Sequence, residues 1–102
     1  MRLRAQGKIM SPQVKELSPG RPVMRFALVE MDREGKQTWH SCAAWGGMAA
    51  KMSRLCEGDM VEVVARSATK SFTGVTGTRR TVTEYIVETY VKLKSKHEEA
   101  RS

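Results

Sequence analysis

One short stretch breaks a chain that otherwise reads as β-structure. After Gly46-Gly47, Met48, Met52 and Leu55 recur at helical spacing, with Lys51 and Arg54 between them. That is an apolar stripe of the kind that packs inward. It predicts one helix over residues 48–55, with Gly58 in the place of a helix C-terminal glycine. A single helix among strands restricts the architectures open to so short a chain, and the order of the strands around it restricts them further.

Residues 3–10 form the first predicted strand, with Gly7 at a bulge or a close backbone approach. Ser11-Pro12 interrupts it, and residues 14–17 continue it as a second short piece. Ser18-Pro19-Gly20-Arg21-Pro22 is a strong turn signal. Residues 23–31 alternate, with Met24, Phe26 and Leu28 on one face and Val23, Ala27 and Val29 on the other. Apolar residues on both faces predict a strand covered from both sides, by the core and by a further element or chain. A polar loop over residues 32–36 leads to the third strand, residues 37–45. After the helix, residues 60–69 place Val61, Val63 and Ala65 on one face. Residues 71–78 read as a glycine-bearing hairpin tip, and residues 81–93 as a long final strand rich in β-branched residues and tyrosine. Five strands with one short helix between the third and fourth are the order of an all-β, OB-type Greek-key barrel. The expected domain is residues 1–94, followed by a charged, frayed tail over 95–102.

With 102 residues the chain is sized for one domain. Lysine plus arginine outnumber aspartate plus glutamate by 18 to 11, a net charge of +7. That excess suits a polyanionic partner, although a basic surface is also the ordinary state of many soluble domains. No segment approaches the ~20 apolar residues of a membrane-spanning helix and no secretory leader is evident at the start, so a cytoplasmic setting is expected. Cys42 and Cys56 form no metal-binding or redox spacing. Both are expected to be reduced and at least partly buried, with a disulfide possible but not indicated.

The third strand carries the functional signal. Trp39 and Trp45 are the two tryptophans of the chain, six residues apart. On a strand, even separations share a face, so both indoles point the same way, together with Ser41 and Ala43. Two flat rings separated by small residues make a stacking platform for exposed bases, and single-stranded nucleic acid is the polyanion that offers them. Each ring also has a structural reading: tryptophan in a small barrel is usually core, and Trp45 before two glycines is placed to pack under the helix.

The chain resembles the bacterial single-stranded DNA-binding protein (SSB) family. Trp39-His40 followed by Ala44-Trp45-Gly46-Gly47-Met48-Ala49 resembles the family's W-H-x-V-x-x-[FW]-G-[KR]-[LT]-A run. Glu57-Gly58-Asp59-Met60-Val61-Glu62-Val63 is similar to its entry into the fourth strand. Gly77 to Arg80 leading into Thr83-Glu84 resembles G-x-x-R-x-x-T-E, and Phe72 stands where the family has Trp or Tyr. The resemblance implies an OB fold assembled as a homo-oligomer, a tetramer by default and a dimer as the other option, with single strands wrapped over aromatic and basic surfaces. It implies stacking positions at Trp39, Trp45 and Phe72. It makes His40 a candidate at a subunit contact, against the alternative of a polar residue satisfied locally. Departures are a short loop at residues 32–36, Ser41, Gly47 and Ala68 at positions that are often basic, and no acidic C-terminal tip. This pattern points to a short form: a mobile-element or phage protein, or a primosomal accessory protein.

The phosphate-contact candidates are Lys70, beside Phe72, and Arg79 and Arg80 on the return of the hairpin, with Arg66 and Lys8 as weaker choices. His40 and His97 lie far apart, and no nucleophile–base pair, paired carboxylates or phosphate-cradling loop is evident. No enzyme activity, metal or cofactor is expected. The leading reading is a sequence-tolerant binder of single-stranded DNA in replication, recombination or transfer. The alternative is a primosome-type protein that acts mainly through protein contacts and binds DNA weakly.

Overall fold

The computed structural model describes residues 2–94; the expected tail over 95–102 lies outside the described residues. Five strands and one helix follow in the order β1 (Arg2–Ser18), β2 (Arg21–Met31), β3 (Gln37–Trp45), α1 (Gly47–Met52), β4 (Met60–Thr73) and β5 (Arg79–Lys94). The strands close a barrel in the order β1-β2-β3-β5-β4. This is the expected OB-type barrel with its helix between the third and fourth strands.

β1 is one long strand, not the two pieces that Ser11-Pro12 suggests. Its first part, Arg2 to Lys8, pairs antiparallel with β4, and its second part, from Lys8 onward, pairs antiparallel with β2. The strand therefore changes partner at Gly7 and Lys8. Two backbones cross closely there: a Cβ built on Gly7 would lie 2.4 Å from the Val29 carbonyl oxygen. The glycine is needed for space, as its place in the sequence suggested. Ser11 is accommodated as a bulge, with a left-handed φ of 52° and its N–H donating to Glu57 Oε1 at 2.9 Å. The register between β1 and β2 slips at this point, between Met10 and Gln13.

Alternation decides what fills the barrel. Met24, Phe26 and Leu28 of β2, Cys42 and Ala44 of β3, and Val61 and Val63 of β4 meet in one buried cluster with Ile9, Met52 and Leu55. Tyr85 and Tyr90 pack against it from β5, in the structural role expected of them. The helix is shorter than its apolar spacing predicts. It ends at Met52, and Leu55 reaches the core from the loop that follows. There the buried Asp59 carboxylate accepts the Cys56 N–H at 2.8 Å, and the Gly58 N–H donates to the Ile9 carbonyl at 2.7 Å. This loop is a built connection to β1, not a frayed helix end, and Gly58 with φ 94° serves it instead of capping the helix. Cys56 is exposed, against expectation: Asp59 holds its N–H, and its thiol reaches only the neighbouring Arg54 carbonyl at 3.9 Å, away from the core.

The hairpin tip is also tighter than expected. β4 and β5 pair out to Thr73 and Arg79, and residues 74–78 make the turn. The Gly74 N–H donates to the Thr78 carbonyl at 2.9 Å, and Gly77 takes φ 82°. At the β2–β3 loop, Asp32 Oδ1 accepts the N–H groups of Glu34 and Lys36, each at 2.9 Å, which fixes the short connection.

Candidate nucleic-acid interface

β3 has its even positions in the barrel and its odd positions outside. Cys42 and Ala44 belong to the core cluster, while Trp39, Ser41 and Trp45 are exposed. Ala43 shares the outer face but is fully buried, between Arg25 of β2 and Ile86 of β5 in register. Trp39 and Trp45 are 57% and 38% exposed as residues. Neither belongs to the core cluster, which disposes of the core reading for both. Six residues of strand separate them, ~20 Å along the sheet.

Trp39 stands at the end of a cross-strand row. Met60 of β4, Lys8 of β1, Val29 of β2 and Trp39 are successive register partners. With Met10 and Met31 they line an open groove of about 660 Å³. Gln6, Glu30 and Gln37 add to the lining, so thioether, branched aliphatic and indole surface is mixed with amides, the Glu30 carboxylate and the Lys8 amine. The groove can take a flat group against the indole, with both a cation, Lys8, and a carboxylate, Glu30, on its walls. The outer face of β2 is thus partly covered from within the chain: Val23 and Val29 are buried outside the core cluster.

Trp45 has a different environment. The Arg25 guanidinium lies 5.6 Å from the ring centre and the Lys70 ammonium 5.9 Å, both within cation–π range. Both cations also meet one carboxylate. Arg25 Nε donates to Glu84 Oε2 at 3.1 Å, and Lys70 Nζ lies 3.9 Å from Glu84 Oε1. The Glu84 side chain is 15% exposed, and its Oε1 is buried without a hydrogen bond. Burial first, and the Glu84 carboxylate second, push the Cys42 thiol up to about 12.

The structure sorts the candidates named from sequence. Trp39 with Lys8, and Trp45 with Lys70, are brought together as two pairs on one outer face. Phe72 stands in β4, not on a loop, opposite Arg80 in register. Positions 68, 70 and 72 of β4 face 84, 82 and 80 of β5, so Arg80 shares the side of Lys70 and Glu84. Arg79 alternates to the other side of the same hairpin. Arg66 is exposed on the outer row that runs through Ile86 and Ala43 to Arg25, two strands from β3, ~10 Å. It is peripheral to the rings. His40 points toward the barrel and is bound within the chain: Nε2 is 3.2 Å from Glu30 Oε1, and the ring meets Tyr85 edge-on at 5.8 Å. Among the described residues no three His, Cys, Asp or Glu side chains converge as a metal site would require.

Arg25 was not singled out from sequence, and Glu84 entered only as the last residue of the G-x-x-R-x-x-T-E resemblance, with no role assigned to it. Arg25 carried a signal: it is the one charged residue among Val23, Ala27 and Val29 on the β2 face that lies beside the tryptophans. Glu84 carried none of that kind, because its partner lies 59 residues away.

A family model, "Single-strand binding protein family", matches residues 5–93. Among solved structures, mitochondrial single-stranded DNA-binding protein Rim1 from S. cerevisiae superimposes with a TM-score of 0.73 at 17% identity, over 93% of this chain and 96% of that one. Its selenomethionine-labelled form gives a TM-score of 0.73 at 16% identity and the same coverage. At such identity the likeness is one of fold. No curated protein matches the chain in sequence.

Proposed function

Since the chain belongs to the single-strand binding protein family, we propose that it binds single-stranded DNA, tolerant of sequence, by stacking bases on Trp39 and Trp45 and holding phosphates with Lys8, Arg25, Lys70 and Arg80. The observation that carries this is the exposure of both indoles on the outer face of β3, the strand that OB folds offer to oligonucleotides. Every base has a π-face, so stacking needs no particular sequence and contributes about 1–3 kcal/mol per base. Cations beside the rings add an electrostatic part that weakens as salt rises, because bound strand releases its condensed counterions. Phe72, opposite Arg80 in register, is the third stacking position.

The role is coating or presenting strands during replication, recombination or transfer, in the cytoplasm. The working form is a homo-oligomer, with a tetramer favoured over a dimer. Exposed Val14 and Leu17 on β1 and Val91 and Leu93 on β5 support an assembly, since all four are apolar and lie off the tryptophan strand.

The test is a titration with oligo(dT) followed by tryptophan fluorescence at two salt concentrations, with mass from light scattering. Quenching that weakens with salt is the expected result; no quenching at micromolar protein removes the proposal. Trp39→Ala should weaken binding by about 1–3 kcal/mol and leave the mass unchanged.

A further inference from the structure

The two tryptophans are not equivalent, and the difference lies in one carboxylate. Trp39 has an open face beside a groove, whereas Trp45 has two cations over its ring, both gathered by Glu84. A base that stacks on Trp45 must compete for the space before the ring that these cations approach to 5.6 and 5.9 Å. The geometry points to Glu84 as a positioning residue that stands in for a phosphate: it holds Arg25 and Lys70 over Trp45 until a nucleic-acid phosphate competes for them and frees the ring for a base. This deepens the proposed single-stranded DNA binding and rests on it.

Three features support the assignment. Glu84 engages Arg25 through one oxygen and faces Lys70 with the other at 3.9 Å, so the carboxylate bridges the two cations in the manner of a phosphate. Its Oε1 is buried and makes no hydrogen bond, so the carboxylate is not satisfied by the barrel and depends on these cations. Both cations project from different strands, β2 and β4, onto a ring carried by a third. Without an anion between them, like charges so placed repel. The ligand that releases Trp45 must bring a phosphate and a base together. A free anion supplies only the first and a neutral aromatic only the second. Trp45 is thereby selective for nucleotide chains, while Trp39 accepts a base directly.

Glu84 also opposes binding, because phosphate must displace it. Its removal should strengthen binding even though it lies at the site. Glu84→Gln keeps the shape and removes the charge. It should tighten oligo(dT) binding by roughly three- to fivefold, the scale of one partly exposed ion pair.

The decisive measurement needs no DNA. In a Trp39→Phe background Trp45 is the sole tryptophan, and acrylamide quenching reports access to its ring. Adding Glu84→Gln should raise the quenching constant, and so should moving the Trp39→Phe protein alone from 50 mM to 500 mM salt, which loosens the ion pairs. Lys70→Met, which leaves the barrel interior untouched, should act in the same direction and serves if Glu84→Gln does not fold. The assignment is overturned if quenching of Trp45 is unchanged by both salt and substitution, or if folded Glu84→Gln binds oligo(dT) more weakly than the parent. If no variant binds oligo(dT) but Trp45 access rises as described, Glu84 does hold the cations and the proposed DNA binding is what fails.

Discussion

Replacing Gly7 by alanine probes the point where β1 changes partner. The added methyl would lie 2.4 Å from the Val29 carbonyl oxygen, 2.8 Å from its carbon and 3.2 Å from the Glu30 nitrogen. All three are backbone atoms of β2, so no side chain can rotate away. Restoring ordinary contact needs ~1 Å of separation between paired strands. That strains or breaks about two backbone hydrogen bonds, each contributing ~1 kcal/mol, and loosens packing around Ile9 and Leu28, an overpacking cost of about 1–3 kcal/mol. Alanine returns ~0.4–1 kcal/mol by restricting the unfolded chain. The net expectation is a loss of about 2–4 kcal/mol. Urea denaturation followed by tryptophan fluorescence measures it; at a slope of about 1 kcal/mol per molar, the midpoint should fall by roughly 2–4 M. Gly47→Ala is the control, because nothing lies within 4 Å of its added methyl at the start of α1. It should change stability by less than about 1 kcal/mol, toward greater stability. A Gly7→Ala protein as stable as the parent would refute the argument, since the two backbones would then have room the structure denies them.

Thiol chemistry should separate the cysteines: an aromatic disulfide reagent at pH 8 should modify exposed Cys56 promptly and buried Cys42 only after denaturant is added. Cys42 also predicts a pH effect. Its folded-state value, raised to about 12 from 9.0, means that above pH 9 the unfolded chain loses this proton while the folded chain keeps it. Stability should therefore fall as pH rises from 9 toward 12, by up to ~1.4 kcal/mol per pH unit from this group, and Cys42→Ala should show a shallower decline in the same urea assay. Asp59→Ala should cost about 1–3 kcal/mol by leaving the Cys56 N–H without its acceptor, measured as a lower melting temperature.

Much of this was legible in the sequence because strands alternate. The outward placement of Trp39 and Trp45, the inward placement of Met24, Phe26 and Leu28, and the tight quarters at Gly7 all follow from local pattern. The extents of the elements were less legible. Arg54 and Leu55 fit a helical period, yet Asp59 diverts the chain into a loop tied to β1. Ser11-Pro12 looks like a break, yet Glu57, distant in sequence, binds the Ser11 N–H and turns the break into a bulge. Phe72 sits in a polar run that reads as loop, yet long antiparallel pairing with β5 makes it strand. The ion pair over Trp45 was least legible of all, since Arg25 and Glu84 are joined by barrel closure and no local period records that.

Barrel closure has one more consequence. β3 is hydrogen-bonded to β2 along its whole length, from Gln37 to Trp45, but meets β5 in parallel register at Cys42–Tyr85 and Ala43–Ile86 among the described residues. The ribbon that carries both indoles is thus clamped along one margin and, among the described residues, tacked at Cys42 and Ala43 on the other. The Gln37 end of β3 lies farther from these β5 pairings than the Trp45 end, and bending it away from β5 would change the angle between the rings. Amide protons along the β3–β5 margin should accordingly exchange faster than those along β2–β3, and slow down when both rings are occupied.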